Sequence, residues 1–159
     1  MRVALKTFGL SMLLLWTTPI SAHESTQFGA DVLIGEAYAT VSSKKDSVIL
    51  QMYIDNSGDE DIYLLEAQTS IAKGSAIFGR VGHMSAVVMD STLIPSGYIT
   101  DFGSSHLRIE LYELNRRLNE GDTFDVTLEF LRGSATIPVH VHEETHGAIS
   151  REHDAIDSQ

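Results

Sequence analysis

Ser47-Val48-Ile49-Leu50-Gln51-Met52-Tyr53-Ile54-Asp55 runs directly into Asn56-Ser57-Gly58-Asp59. Val48, Leu50, Met52 and Ile54 fall on one side of an extended chain, and Ile49, Gln51 and Tyr53 on the other. That is the two-residue period of a strand that buries one face. The four residues that follow are turn formers, so the segment reads as the first arm of a hairpin whose second arm is Ile62 to Glu66. Working outward, Thr123 to Phe130 repeats the pattern, with Phe124, Val126, Leu128 and Phe130 facing one way after the turn Asn119-Glu120-Gly121-Asp122. In His106-Leu107-Arg108-Ile109-Glu110-Leu111, the residues Leu107, Ile109 and Leu111 face inward while His106, Arg108 and Glu110 share the other side. The last strand is Thr136 to His142. Only Glu113 to Asn119 is expected to take a helical turn. Short apolar strands separated by Gly, Pro, Asn and Asp turns give an all-β chain, an antiparallel β-sandwich of one domain.

The ends of the chain read differently. Met1 to Ala22 carries Arg2 and Lys6, the apolar run Leu10 to Trp16 and the small-residue end Ile20-Ser21-Ala22, the layout of a secretory signal cleaved after Ala22. No later apolar run approaches the roughly 20 residues that a membrane span needs, so an exported, non-inserted protein is expected, in a bacterium a periplasmic one. Residues 23–142 form the expected domain, and residues 143–159 a polar, acidic, histidine-containing tail. Removal of Arg2 and Lys6 with the signal leaves nine basic residues against 22 acidic ones, a net charge of −13. Such a surface repels nucleic acid and anionic lipid and favours cations or basic partners. There is no cysteine, which excludes both disulfides and thiolate chemistry.

Seven histidines stand out in this composition, four of them at His140, His142, His146 and His153. Alternation in Ile137-Pro138-Val139-His140-Val141-His142 sends Ile137, Val139 and Val141 to the core and places the two imidazoles on the other face, about 7 Å apart along the backbone. Pro138 argues for an edge strand. His146 lies four residues farther on and is a candidate third ligand, suiting Cu(II) or Zn(II) better than Cu(I) because the segment has no thioether or thiolate. Upstream, His83-Met84 and Met89 place an imidazole beside soft thioether sulfur, and His106 follows the loop Gly103-Ser104-Ser105. Polar outward positions on strands are also commonly histidine with no ligand at all. His23, as the first mature residue, could chelate copper through its α-amine and ring. No nucleophile, base and orienting group recur together, so catalysis is not expected.

The order Tyr53-Ile54-Asp55-Asn56-Ser57-Gly58-Asp59-Glu60-Asp61, Ile94-Pro95-Ser96-Gly97, His106-Leu107, Leu118-Asn119-Glu120-Gly121-Asp122 and Val126-Thr127-Leu128-Glu129-Phe130 resembles the periplasmic copper chaperones of the PCu(A)C type. The resemblance implies a cupredoxin-like β-sandwich that carries Cu(I) on two histidines and two methionines and delivers it to an envelope cuproprotein such as cytochrome c oxidase. It places the second family histidine at His106 and the first methionine at Met89. Arg108 stands where the second methionine would be. The first histidine falls on Phe78 by equal spacing from Met89, or on His83 if the loop is shifted, with Met84 as a reserve donor. Two readings follow. One is a divergent copper chaperone that uses His83, Met84, Met89 and His106, with the tail capturing Cu(II). The other is a non-catalytic interaction module whose core copper site has decayed and whose metal binding is confined to the histidine tail.

Overall fold

The computed structural model describes residues 25–41, 46–104 and 106–142. The signal segment, His23, His146, His153 and the rest of the tail lie outside the described residues. Twelve strands are present among them: β1 (Thr26–Phe28), β2 (Val32–Ile34), β3 (Ala37–Val41), β4 (Ser47–Asn56), β5 (Ile62–Gln68), β6 (Ala72–Gly79), β7 (Val87–Met89), β8 (Thr92–Ile94), β9 (Tyr98–Phe102), β10 (Leu107–Leu114), β11 (Thr123–Phe130) and β12 (Gly133–His142). The fold is the expected all-β, cupredoxin-like sandwich.

Strand β4 organises it. Its first half pairs with β3 and β10 (Gln51 with Tyr38, Leu50 with Ile109), and its second half pairs with β9 and β2 (Asp55 with Ile99, Ile54 with Ile34). From β4 the main sheet runs through β10, β6 and β7 on one side and through β3, β12, β11, β5 and β8 on the other. It curls until β5 meets β6, where the Ala67 N–H donates to Ser75 Oγ at 3.3 Å. The alternation read from the sequence fills the space inside. Val48, Leu50, Met52 and Ile54 are all buried, as are Ile109 and Leu111, Val126 and Leu128, and Ile137, Val139 and Val141. Apolar burial on this scale is the main stabilising term, at about 25 cal/mol per Å² removed from water.

Three local expectations are corrected. The Asn56–Asp59 turn does not close a hairpin, since β5 pairs with β11 and β8 rather than with β4. Asn56 is the reason. Its side chain is 1% exposed, and its amide donates to Glu60 O at 2.9 Å and Ile94 O at 3.1 Å while its carbonyl accepts from the Gly58 N–H at 3.2 Å. These bonds bind the turn to β8 and carry the chain across the sandwich. Second, Glu113 to Asn119 forms no helical turn. The Leu114 N–H donates to Asp46 O and the Asn115 N–H to Ile71 O, so donors that a helix would use four residues back are spent on distant carbonyls.

Third, Pro138 does not mark an edge strand, because β12 lies between β11 and β3. The proline is tolerated for a local reason: the parallel pairing with β3 begins only at Val139–Ala37, so Pro138 faces a partner on the β11 side alone.

The Asn119–Asp122 turn is held by its last residue. Asp122 accepts from the Asn119 N–H at 3.0 Å and from Arg116 at 3.1 Å. The Asn119 amide first, and Arg116 after it, outweigh partial burial and hold its carboxyl below the usual Asp value of 3.8. A depressed folded-state pKa stabilises the fold above the ordinary Asp value, and this contribution is lost as pH falls through the folded-state value. Thermal midpoints followed from pH 6 downward are therefore expected to favour the native chain over Asp122→Asn at the upper end and to converge as pH falls through the depressed folded-state value. A constant gap would show that the charge of Asp122 contributes nothing.

Candidate metal centre

At one end of the curled sheet lie β7, β6 and β10. Here Ile77 of β6 pairs with Ile109 of β10 and Met89 of β7, and the next residue, Phe78, pairs with Arg108 and Val88. Ile77 and Ile109 are buried, so alternation turns Phe78 and Arg108 to the opposite, outer face. The two departures from the family ligand pattern are therefore cross-strand partners, and they touch: the Arg108 guanidinium carbon lies 4.8 Å from the Phe78 ring centroid. A cation over an aromatic ring fills the position where the resemblance implies a methionine and the one that equal spacing from Met89 gives for the first histidine, His83 being the alternative.

The remaining candidates occupy the same end, with Met89 on the inner face beside Ile77 and His106 on the outer face with Arg108. Met89 is half-buried and packs against the core, its sulfur filling the space that a Cβ of Gly79 would take. His83 and Met84 occupy a tight turn between β6 and β7, in which the Met84 N–H donates to Val81 O at 3.3 Å and Gly82 supplies the left-handed residue at φ 60°. Both side chains project into solvent. Met84 is 70% exposed, an unusual position for an apolar thioether and one that leaves its sulfur free to bind. His106, also exposed, precedes β10, and its carbonyl accepts the Arg80 N–H at 2.8 Å. That bond ties the start of β10 to the beginning of the His83–Met84 loop.

His140 and His142 lie elsewhere, on the outer face of β12. Their in-register neighbours on β3 are Tyr38 and Thr40. Thr123 Oγ1 is 3.4 Å from His140 Nδ1, which leaves Nε2 as the outward nitrogen. The His142 ring meets Tyr38 edge-on at 4.7 Å. A hydrogen bond to Glu36, with burial and the carboxylate's charge adding to it, raises the Tyr38 phenol above its usual value. Tyr38 and Glu36 were not singled out in the sequence, although alternation along Glu36-Ala37-Tyr38-Ala39-Thr40 puts them on one face. Among the described residues no three His, Asp or Glu side chains converge as a metal site. Nor does any helix there have the length and apolarity to cross a membrane.

Comparison with known proteins gives a family and a fold. The LpqE-like family model, which describes LpqE-like lipoproteins, matches residues 32–141. No curated protein matches. Among solved structures, the apo PCuAC domain from PmoF1 aligns with a TM-score of 0.67 at 14% identity, over 76% of this chain and 100% of that one. The copper-bound PCuAC domain from PmoF2 aligns with a TM-score of 0.66 at 18% identity, over 76% and 99%. The Cu(I) form of DR1885 from Deinococcus radiodurans follows with a TM-score of 0.57 at 21% identity, over 69% and 77%. At these identities the likeness shows a shared fold.

Proposed function

Because the chain belongs to the LpqE-like family, of the PCuAC type, we propose that it is a copper carrier of the cell envelope, exported by a signal cleaved after Ala22. The observation that carries this reading is the joining of His106 to the His83–Met84 turn through the Arg80–His106 hydrogen bond. Exposed imidazole and thioether donors at one end of a rigid sandwich hold Cu(I) without oxidisable thiols and release it to another protein. His106, His83 and Met84 bind the ion, with Met89 available if its side chain leaves the core. Exposed Val81, Val87 and Val88 surround the turn and offer an apolar rim to an acceptor, a cuproprotein such as cytochrome c oxidase. The function is binding and transfer rather than catalysis. His140 and His142, extended by His146, bind Cu(II) or Zn(II) separately.

A titration of Cu(I) against a competing chelator tests the main site. In His106→Ala, affinity is expected to fall by at least about tenfold, the loss of roughly 1.4 kcal/mol or more. Unchanged affinity would remove His106 from the site. The second reading, a sandwich that binds an envelope partner after its core copper site decayed, is favoured by the Arg108–Phe78 stack in the ligand positions. It predicts that Cu(I) binding vanishes once His140, His142, His146 and His153 are all replaced by alanine.

A further inference from the structure

Arg108 is an anomaly of a different kind. The protein has 22 acidic residues and 11 basic ones, so a carboxylate partner should be easy to find. Lys73, Arg116 and Arg132 each have one, in Glu113, Asp122 and Glu60. Arg80, Arg108 and Arg117 have none among the described residues, and of these only Arg108 is half-buried. Glu110 stands two residues along β10, in register with Ala76, and does not pair with Arg108. Arg108 is half-buried, and its Nε is sealed from solvent with no hydrogen-bond partner. A buried donor left unsatisfied is destabilising by about 1–3 kcal/mol, more for a charged group, so an acceptor that reached it would be favoured.

The surroundings match that role. The Arg108 guanidinium lies over the Phe78 ring, a contact that restrains a planar fork able to recognise two oxygens at once. One step along the same ladder, the Arg80 N–H to His106 O bond continues the β6–β10 register. Alternation carries the exposed Arg80 and His106 side chains to the face of Phe78 and Arg108. Two unpaired guanidinium groups and an imidazole thus gather on one outer face of a strongly acidic protein.

We propose that the outer face of β6 and β10, with Arg108 stacked on Phe78 and Arg80 beside it, is a carboxylate-binding site. The negative field of the whole chain disfavours polyphosphates and nucleic acid, whereas a single carboxylate gains the local cations at little long-range cost. This goes beyond copper carriage and does not depend on it. The carboxylate belongs either to a small free acid or to an acidic side chain or C-terminus of a protein, and the two sources share the same chemistry.

The test uses the metal-free full chain in EDTA, at constant ionic strength, with the Arg108 Nε–H followed by proton–nitrogen NMR. The signal is assigned by its loss in Arg108→Lys. Acetate and a short glutamate peptide are titrated separately, with chloride as the ionic control. A saturable shift with either carboxylate, weakened about tenfold in the exposed variant Arg80→Gln, is the expected result. Equal affinity per carboxylate identifies a small free acid as sufficient, and tighter binding of the peptide identifies a protein source. No saturable shift up to the solubility limit, or the same shift with chloride, overturns the proposal. Because no metal is present, failure here leaves the copper reading intact, and loss of copper binding leaves this site intact.

Discussion

Asn56→Ala is expected to lower the folding free energy by about 3 kcal/mol, because it leaves buried polar groups without partners rather than merely deleting a side chain. The Glu60 and Ile94 carbonyls each lose a donor, and the Gly58 N–H loses its acceptor. The damage extends to the neighbouring turn, where the Gly97 N–H donates to Asn56 O at 2.7 Å and Ser96 Oγ donates to Gly58 O at 2.7 Å. Asn56→Asp keeps the acceptor but turns a buried carboxylate oxygen toward the Glu60 and Ile94 carbonyls, and near neutral pH should be at least as destabilising as Asn56→Ala. Denaturant unfolding of the three proteins measures the effect. A loss below about 1 kcal/mol for the alanine variant would mean that water replaces the side chain and that the turn is held by its backbone alone.

The second large effect is a gain. Replacing both members of the stacked pair, as Phe78→His with Arg108→Met, is expected to tighten Cu(I) binding by about two orders of magnitude. One unit charge at roughly 5 Å from a bound cation, in an effective dielectric near 20, opposes it by about 3 kcal/mol, and the double variant removes that charge and adds two donors. Arg108→Met alone should recover much of the gain, because it removes the repulsion. Phe78→His alone should recover little. Chelator competition with Cu(I) resolves the four proteins. If all four bind alike, the ion sits away from the β6–β10 face and the His83–Met84 turn carries it alone.

The alternation of Ser47 to Asp55 was legible because β4 buries one side throughout, and the bounds of Thr123–Phe130 followed for the same reason. What sequence could not supply were contacts made between distant residues. Turn residues at Asn56–Asp59 show that the chain reverses, but only the bond to Ile94 decides that it crosses the sandwich instead of pairing back. The loop after β10 has helix-compatible residues, yet its N–H groups go to Asp46 and Ile71. At the candidate site, each departure from the family pattern was visible by itself in Phe78 and Arg108. That they face each other across β6 and β10 depends on a register set by two strands far apart in the chain. Of the residues carrying the family resemblance, Asn56, Gly58, Asp61, Ser96 and Gly97 prove to be a hydrogen-bonded knot that shapes the fold, and Ser57 ties it to Asp31. This explains how the fold is kept while the ligand positions change.

Strand β4 gives up half of its length to one set of neighbours and half to another. The same continuous backbone therefore joins both sets. Its amides are expected to be among the last to exchange with solvent. Segments away from it, such as the His83–Met84 turn, are free to rearrange around a ligand or a partner without loosening the body that carries them.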